Sequence, residues 1–235
     1  MRLFFIRHGQ TPSNVAGLLD TAVPGPGLTE LGERQAAEIP EALQSTPVDA
    51  IYVSTLLRTQ LTAQPLADDR GLEPVVLPGT HEIGAGDLQM LSDHHSVRVY
   101  LETAFAWGLG DLTPRMPGGE DGFEFFARFD ESIATVAASG VSTAVIVSHG
   151  AAIRVWVAGR AINVPPSFAG EHDIQNTGVV ELDGSPEEGW TLLSWQGTPV
   201  GGYDLVDDDA EDPTGETLDE ALDDDDDDDN DAASD

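Results

Sequence analysis

The chain has 235 residues, no cysteine, and 10 basic against 43 acidic side chains, for a formal net charge of −33. Disulfides, thiolate nucleophiles and thiolate metal sites are therefore excluded, and the acidity argues against nucleic acid and anionic membrane surfaces as partners. A hydrophobic content of 40% is enough for a sizeable core, and no apolar run reaches spanning length.

The first apolar run, Leu3 to Ile6, stops at Arg7-His8-Gly9. It reads as a short buried strand with polar groups at its carboxyl end, where open α/β sheets bind ligands. The interruption leaves no cleavable signal pattern, so a cytoplasmic location is expected. A Gly/Pro-rich loop follows, from Gly17 to Gly27. Leu31, Ala36, Ile39 and Leu43 then give a helical face with Thr29 as its cap, and Pro40 should kink or shorten it. Ala50 to Val53 reads as a second strand, Leu56 to Asp69 as a helix bent at Pro65, and Pro74 to Leu77 as a third strand. Gly84 to Pro117 has mixed polarity and little clean period. Asp121 to Ala138 returns to helical spacing, Ala144 to Val147 is strand-like, and Ala151 to Ala161 reads as the next helix. Val179 to Leu182 and Thr191 to Trp195 suggest two late strands around a turn containing Gly184. Strands alternating with helices predict a three-layer α/β fold, a mainly parallel sheet with helices on both faces.

The pattern fades after Tyr203. From Asp204 onward there are 18 acidic residues and no basic one, which leaves −15 for residues 1–203. The expectation is one domain over residues 1–203 and a disordered acidic tail over 204–235. Such a tail could bind calcium weakly, dock a basic protein, or simply solubilise the chain. All ten basic residues are Arg. An anionic ligand must be drawn by a local cluster of Arg and His, which screening over about 8 Å permits.

Arg7-His8-Gly9 fits phosphate chemistry. The guanidinium offers a fixed fork of donors, a neutral imidazole is a nucleophile, and glycine lets backbone approach a ligand. Arg7-His8-Gly9-Gln10-Thr11-Pro12-Ser13-Asn14 resembles, without a mismatch, the Arg-His-Gly-x-Thr-x-x-Asn signature of the histidine phosphatase superfamily, the phosphoglycerate mutase-like family. Three distant segments extend the resemblance. Ser54 to Ala63 is similar to the family's strand-to-helix segment and puts Arg58 at its phosphate-binding arginine. His81-Glu82-Ile83 resembles the Glu-bearing segment after the third strand. Ser148-His149-Gly150 resembles the second strand-end His-Gly pair. Asn176-Thr177 and Pro117 to Glu120 resemble further loops near the pocket, where Glu120 could orient pocket groups.

The resemblance implies a metal-independent phosphomonoester hydrolase acting on a small phosphorylated substrate, with no cofactor. His8 would attack phosphorus and form a phosphohistidine. Arg7, Asn14, Arg58 and His149 would hold phosphoryl oxygens, His149 with help from the amino end of the next helix. Glu82 would be the general acid and base, and Gly9, Thr11, Gly150 and Asn176 would lie at the pocket. A mutase shares this core but needs extra cations for a substrate carboxylate, and Gly84 to Pro117 offers only Arg98 and Arg115. A member that binds a phospholigand without turnover is the other alternative. His81, Asp87, His94 and His95 could instead be read as metal ligands, although their spacing forms no recognised site.

Overall fold

The apolar run that opens the chain becomes an inner strand of a six-stranded sheet. The computed structural model describes residues 1–222. In chain order the elements are β1 (Arg2–Arg7), α1 (Pro12–Val15), α2 (Glu30–Ala37), α3 (Ile39–Ala42), β2 (Ala50–Val53), α4 (Leu57–Arg70), β3 (Val75–Val76), α5 (His94–Gly108), α6 (Gly122–Ala138), β4 (Thr143–Ser148), α7 (Gly150–Arg160), α8 (Phe168–Glu171), β5 (Val179–Ser185) and β6 (Gly189–Gln196). The sheet order is β3-β2-β4-β1-β5-β6. The first four strands in that order pair in parallel, and β5 and β6 close one side antiparallel.

Both faces of the sheet are covered, as the near-continuous apolar strands require. Leu3, Phe5, Ile146 and Val180 point into a cluster with α5, α6 and α7. Phe4, Ile6, Val145 and Val147 point the other way, onto Ile39 of α3 and Ala63, Leu66 and Ala67 of α4. Alternation along each strand thus feeds two cores from one sheet. The larger core is aromatic at its centre. Phe129 sits 5.8 Å from Phe5 and 5.6 Å from Trp156, ring centroid to ring centroid.

Several elements differ from the sequence reading in instructive ways. The helix expected from Leu31 to Leu43 is two helices. Pro40 lies in the first turn of α3, where its missing N–H is no loss, so it starts a helix rather than kinking one. Pro65 does not divide α4, which runs unbroken from Leu57 to Arg70 with Pro65 on a half-exposed side. The Gly184 turn is displaced. Gly184 is inside β5, paired with Trp190, and the reversal falls at Pro186 to Glu188. Within Gly84 to Pro117, α5 is a full helix whose buried positions Val97, Tyr100, Leu101, Ala104, Phe105 and Gly108 follow i, i+3, i+4 spacing. Asp93 caps it through Ser96 N–H at 3.1 Å. Long irregular flanks on both sides obscure that period in the sequence.

Packing also continues past the expected boundary at 203. Residues 204–222 lie on the domain: Ile174 N–H donates to Gly215 C=O at 2.8 Å, and Leu218 N–H to Gly170 C=O at 2.9 Å. Leu218 and Ala221 rest against the larger core. The remaining part of the expected tail, 223–235, lies outside the described residues. Among the described residues, no helix is long and apolar enough to cross a membrane.

Phe129 joins β1, α6 and α7, so truncating it should leave a cavity that no single element can close. Phe129→Ala should lower unfolding free energy by about 3–5 kcal/mol, read from urea or thermal unfolding.

Candidate active site

Two strand ends build the site. β1 and β4 are adjacent and parallel, with Arg7 opposite Ser148. The residues that follow, His8 and His149, therefore leave the sheet side by side. His8 N–H donates to Ser148 C=O at 3.0 Å. The two imidazoles lie 5.2 Å apart between centroids, inclined at 60°. Both are buried.

Each ring is fixed through one nitrogen. His8 Nδ1 donates to the Gly9 carbonyl oxygen at 2.8 Å, so the lone pair of the neutral ring is on Nε2. Nε2 of His149 is hydrogen-bonded to the Ser54 hydroxyl at 2.7 Å, while its Nδ1 is buried with no partner. Burial, then the Arg58 and Arg7 charges, hold His8 well below the usual imidazole range. Burial and Arg58 do the same to His149. Both rings are thus neutral near pH 7.

Arg58 arrives from the first turn of α4, where no side chain caps the helix. A cation there opposes the helix dipole, yet it is buried. Nη2 donates to Asp20 C=O at 3.0 Å, and Nε is left without a partner. Arg7, fully buried at the end of β1, donates through Nη1 to Ile174 C=O at 2.8 Å. Asn14 is presented by α1. Thr11 caps that helix, and the Asn14 side-chain oxygen Oδ1 accepts from Thr11 N–H and Oγ at 2.9 Å each. The Nδ2 amide is thereby left to donate, and it meets Asp212 Oδ1 at 3.0 Å. Thr11 is thus a positioning residue for Asn14.

Glu82 is buried. One oxygen accepts from Ile83 N–H and Ala152 N–H at 2.8 Å each, the other from Ala151 N–H at 3.1 Å. Burial raises its carboxyl above the ordinary value, against these bonds and Arg58. The amino end of α7 therefore serves Glu82. This corrects the expectation that it would assist His149, since two of its N–H groups are already taken. His8, Thr11, Asn14, Arg58 and Glu82 line one small cavity together with Ser13, Asp20, Thr21 and Thr214.

The remaining sequence candidates are backbone and support. Gly9 N–H donates to Thr62 Oγ at 2.8 Å, and a Cβ on Gly9 would sit 2.7 Å from Gly32 C=O. Gly150 starts α7 beneath Thr214, with no room for a Cβ. Asn176 donates to His8 C=O at 3.1 Å and holds the strand end rather than facing the cavity. Glu120 is grasped by Arg128 at 2.6 and 2.8 Å. Arg128 also donates to the carbonyls of Gly79, His81 and Glu82. Tyr100 OH donates to Ile83 C=O at 2.9 Å. Arg128 and Tyr100 thus fix the segment that carries Glu82. Sequence reading missed both, because neither belongs to a local motif. It also missed Ser54 as the partner of His149, although Ser54 directly follows β2 at the same sheet edge.

His81, Asp87, His94 and His95 do not assemble. Among the described residues, no three His, Asp or Glu side chains converge as they would around a metal ion. Arg115 is exposed and paired with Asp121 and Glu124.

The histidine phosphatase superfamily (branch 1) profile matches residues 3–198. The chain belongs to that superfamily. It is 44% identical over 215 residues to the PE-PGRS family protein PE_PGRS11 of Mycobacterium tuberculosis. The match takes in 84% of this chain and 36% of that protein, so the chain spans about a third of that relative. It is 32% identical over 167 residues to the adenosylcobalamin/alpha-ribazole phosphatase of Salmonella typhimurium, covering 70% of this chain and 81% of that one. The solved structure of a mycobacterial glucosyl-3-phosphoglycerate phosphatase superposes with a TM-score of 0.69 at 28% identity. That match covers 84% of this chain and 99% of the other. Two of these three relatives are phosphatases by name, and the chain is also 28% identical to a probable phosphoglycerate mutase of Erwinia tasmaniensis, over 90% of this chain and 98% of that one.

The imidazoles have a consequence for stability. A folded value below the unfolded one, about 6.5, means the unfolded chain takes up a proton that the folded chain refuses. Stability from this source is present above about pH 6.5 and is lost as pH falls toward the folded value. Wild type should therefore lose more stability between pH 8 and pH 5 than His8→Asn does, read from urea midpoints of the two proteins.

Proposed function

We propose that the protein is a phosphomonoester hydrolase that works through a phosphohistidine on His8. The observation that carries this reading is the pairing at the sheet edge: a neutral His8 with Nε2 free, His149 beside it at 5.2 Å, and a buried carboxyl facing the same cavity. In the first step Nε2 of His8 attacks phosphorus, and the bond to the leaving oxygen breaks. Arg7, Asn14, Arg58 and His149 hold the phosphoryl oxygens where negative charge gathers. Glu82, whose proton affinity burial raises, gives its proton to the leaving oxygen. In the second step Glu82, now ionised, takes a proton from water. The water oxygen attacks phosphorus, the P–N bond breaks, and inorganic phosphate leaves. The guanidinium groups supply the positive charge throughout, and the neutral His149 ring supplies a hydrogen bond.

The His149 contact fits this role. If Ser54 donates to Nε2, Nδ1 carries the ring proton and can donate to a phosphoryl oxygen. Hydrolysis is favoured over mutase chemistry because Arg115 is committed to Asp121 and Glu124 on the surface. The substrate is a small phosphorylated compound, as it is for the named phosphatase relatives.

His8→Ala should lose phosphate release by about 10⁴-fold or more, and a rapid quench into base, where a phosphohistidine survives, should trap labelled histidine in the wild type and none in the variant. Turnover unchanged in that variant would end the proposal. Glu82→Gln should lose about 10²–10⁴-fold on alkyl phosphates and much less on p-nitrophenyl phosphate, whose leaving group needs no proton. With alkyl substrates the rate should fall as pH rises through the raised carboxyl value, and that limb should vanish in Glu82→Gln. Phosphate release without 3- to 2-phosphoglycerate interconversion would exclude the mutase alternative.

A further inference from the structure

Arg7 has a partner that no family segment accounts for. Its Nη2 reaches both carboxylate oxygens of Asp212, at 2.7 and 2.6 Å. Asn14 Nδ2 donates to the same carboxylate at 3.0 Å. Asp212 thus sits on two of the groups assigned above to a phosphoryl group. Thr214 adds to the contact, accepting from Arg7 Nη2 at 3.1 Å, and it lines the cavity with His8, Arg58 and Glu82. Gly215 lies against the Arg7 guanidinium, and the Thr214 carbonyl lies over Gly150.

The segment that carries Asp212 is anchored on either side. Upstream, Gln10 Nε2 donates to Asp207 at 2.7 Å and Gln35 Nε2 to Leu205 C=O at 2.9 Å. Downstream, Leu218 is bonded to Gly170 and packed on the core. Residues 204–222 hold nine acidic side chains and no basic one. Backbone bonds, two glutamines, the contacts of Asp212 and Thr214, and the packing of Leu218 and Ala221 hold them in place. A carboxylate bearing one charge, gripped by a guanidinium and an amide, presents the same acceptor chemistry as two oxygens of a phosphoryl group.

We propose that residues 204–222 form an autoinhibitory strap whose Asp212 carboxylate occupies the phosphoryl-oxygen site, so that substrate and inorganic phosphate must displace it. This rests on the reading of Arg7 and Asn14 as part of the phosphate cradle. The cost to a ligand is the fraction of molecules with the strap displaced: a closed state favoured tenfold weakens apparent affinity about tenfold. The strap also roofs the cavity through Thr214, so a bulky leaving group is admitted only when it moves.

The test uses the full chain and two variants. Asp212→Asn removes the charge at the cradle. Leu218→Ala loosens the downstream anchor without touching Arg7, Asn14 or the imidazoles. Inorganic phosphate binding is measured by calorimetry, and kcat/KM with p-nitrophenyl phosphate in parallel. Asp212→Asn should bind phosphate about tenfold more tightly and raise kcat/KM by a similar factor. Leu218→Ala should move both in the same direction by less. Phosphate affinity unchanged or weakened in both variants would overturn the strap, and would make Asp212 a positioning residue for Arg7 instead. The binding arm needs no turnover. Loss of the phosphohistidine mechanism alone would leave tighter phosphate binding in Asp212→Asn intact, so the two proposals fail separately. If Asp212→Asn is unfolded without ligand, Leu218→Ala decides the matter by the same two measurements.

Discussion

The register of β1 against β4 is the constraint on which the site depends. Two parallel strands, paired with Arg7 opposite Ser148, each end in a His-Gly step at the same sheet edge. A slip of one residue would turn every side chain of a strand to the other face. It would separate the imidazoles and send Leu3 and Phe5 into the wrong core. The same alternation that divides the apolar residues between two helical layers therefore also sets which ring faces which. Core packing and site geometry are one requirement, since the hydrophobic pattern enforces the register and the register delivers the histidines.

Electrostatics at this edge runs against the rest of the molecule. The chain is strongly acidic, yet Arg7, Arg58 and Arg154 are all buried near one another. Burial lowers Arg154 to about 9, with Arg7 contributing in the same direction. Desolvated cations of this kind are costly unless they are compensated. Compensation comes from carbonyl oxygens of Asp20, Ile174 and Ala169, from the ring of Phe105 beneath Arg154, and from Asp212. Carbonyls supply partial charge only, so a residual positive field is retained over the two neutral imidazoles. Burial first, and that field second, hold both rings below the usual imidazole range. The buried carboxyl of Glu82, held by three backbone N–H groups, is the counterpart. It is placed where burial raises its proton affinity while its hydrogen bonds limit the rise.

Support for these groups comes from elements with no motif of their own. Arg128 ties Glu120 of one loop to the carbonyls of Gly79, His81 and Glu82. Tyr100, on the helix hidden in the least readable part of the sequence, holds Ile83. Pro40 and Pro65 illustrate a related point in the fold. Pro40 sits where a helix begins and Pro65 where one faces outward, so neither acts as the breaker that a linear reading expects. In both cases the consequence of a residue depends on which side of the element meets the core, and that is set by distant packing.

The sequence by itself determined the alternation of strands and helices, the two strand-end His-Gly pairs, and the identities of Arg7, Asn14, Arg58 and Glu82 as candidates. Those features are local: an apolar run, a period, or a short string at fixed spacing. It also marked where the domain pattern fades, near Tyr203. Only the tertiary structure decided which of these residues share a cavity. It assigned the amino end of α7 to Glu82 rather than to His149, made Asn176 a brace for the His8 backbone, and brought Ser54 to the second imidazole. Above all it folded Asp212 back onto Arg7 across 205 residues of chain. No linear pattern encodes that contact, because a single aspartate in an acidic stretch is distinguished only by the buried guanidinium it meets.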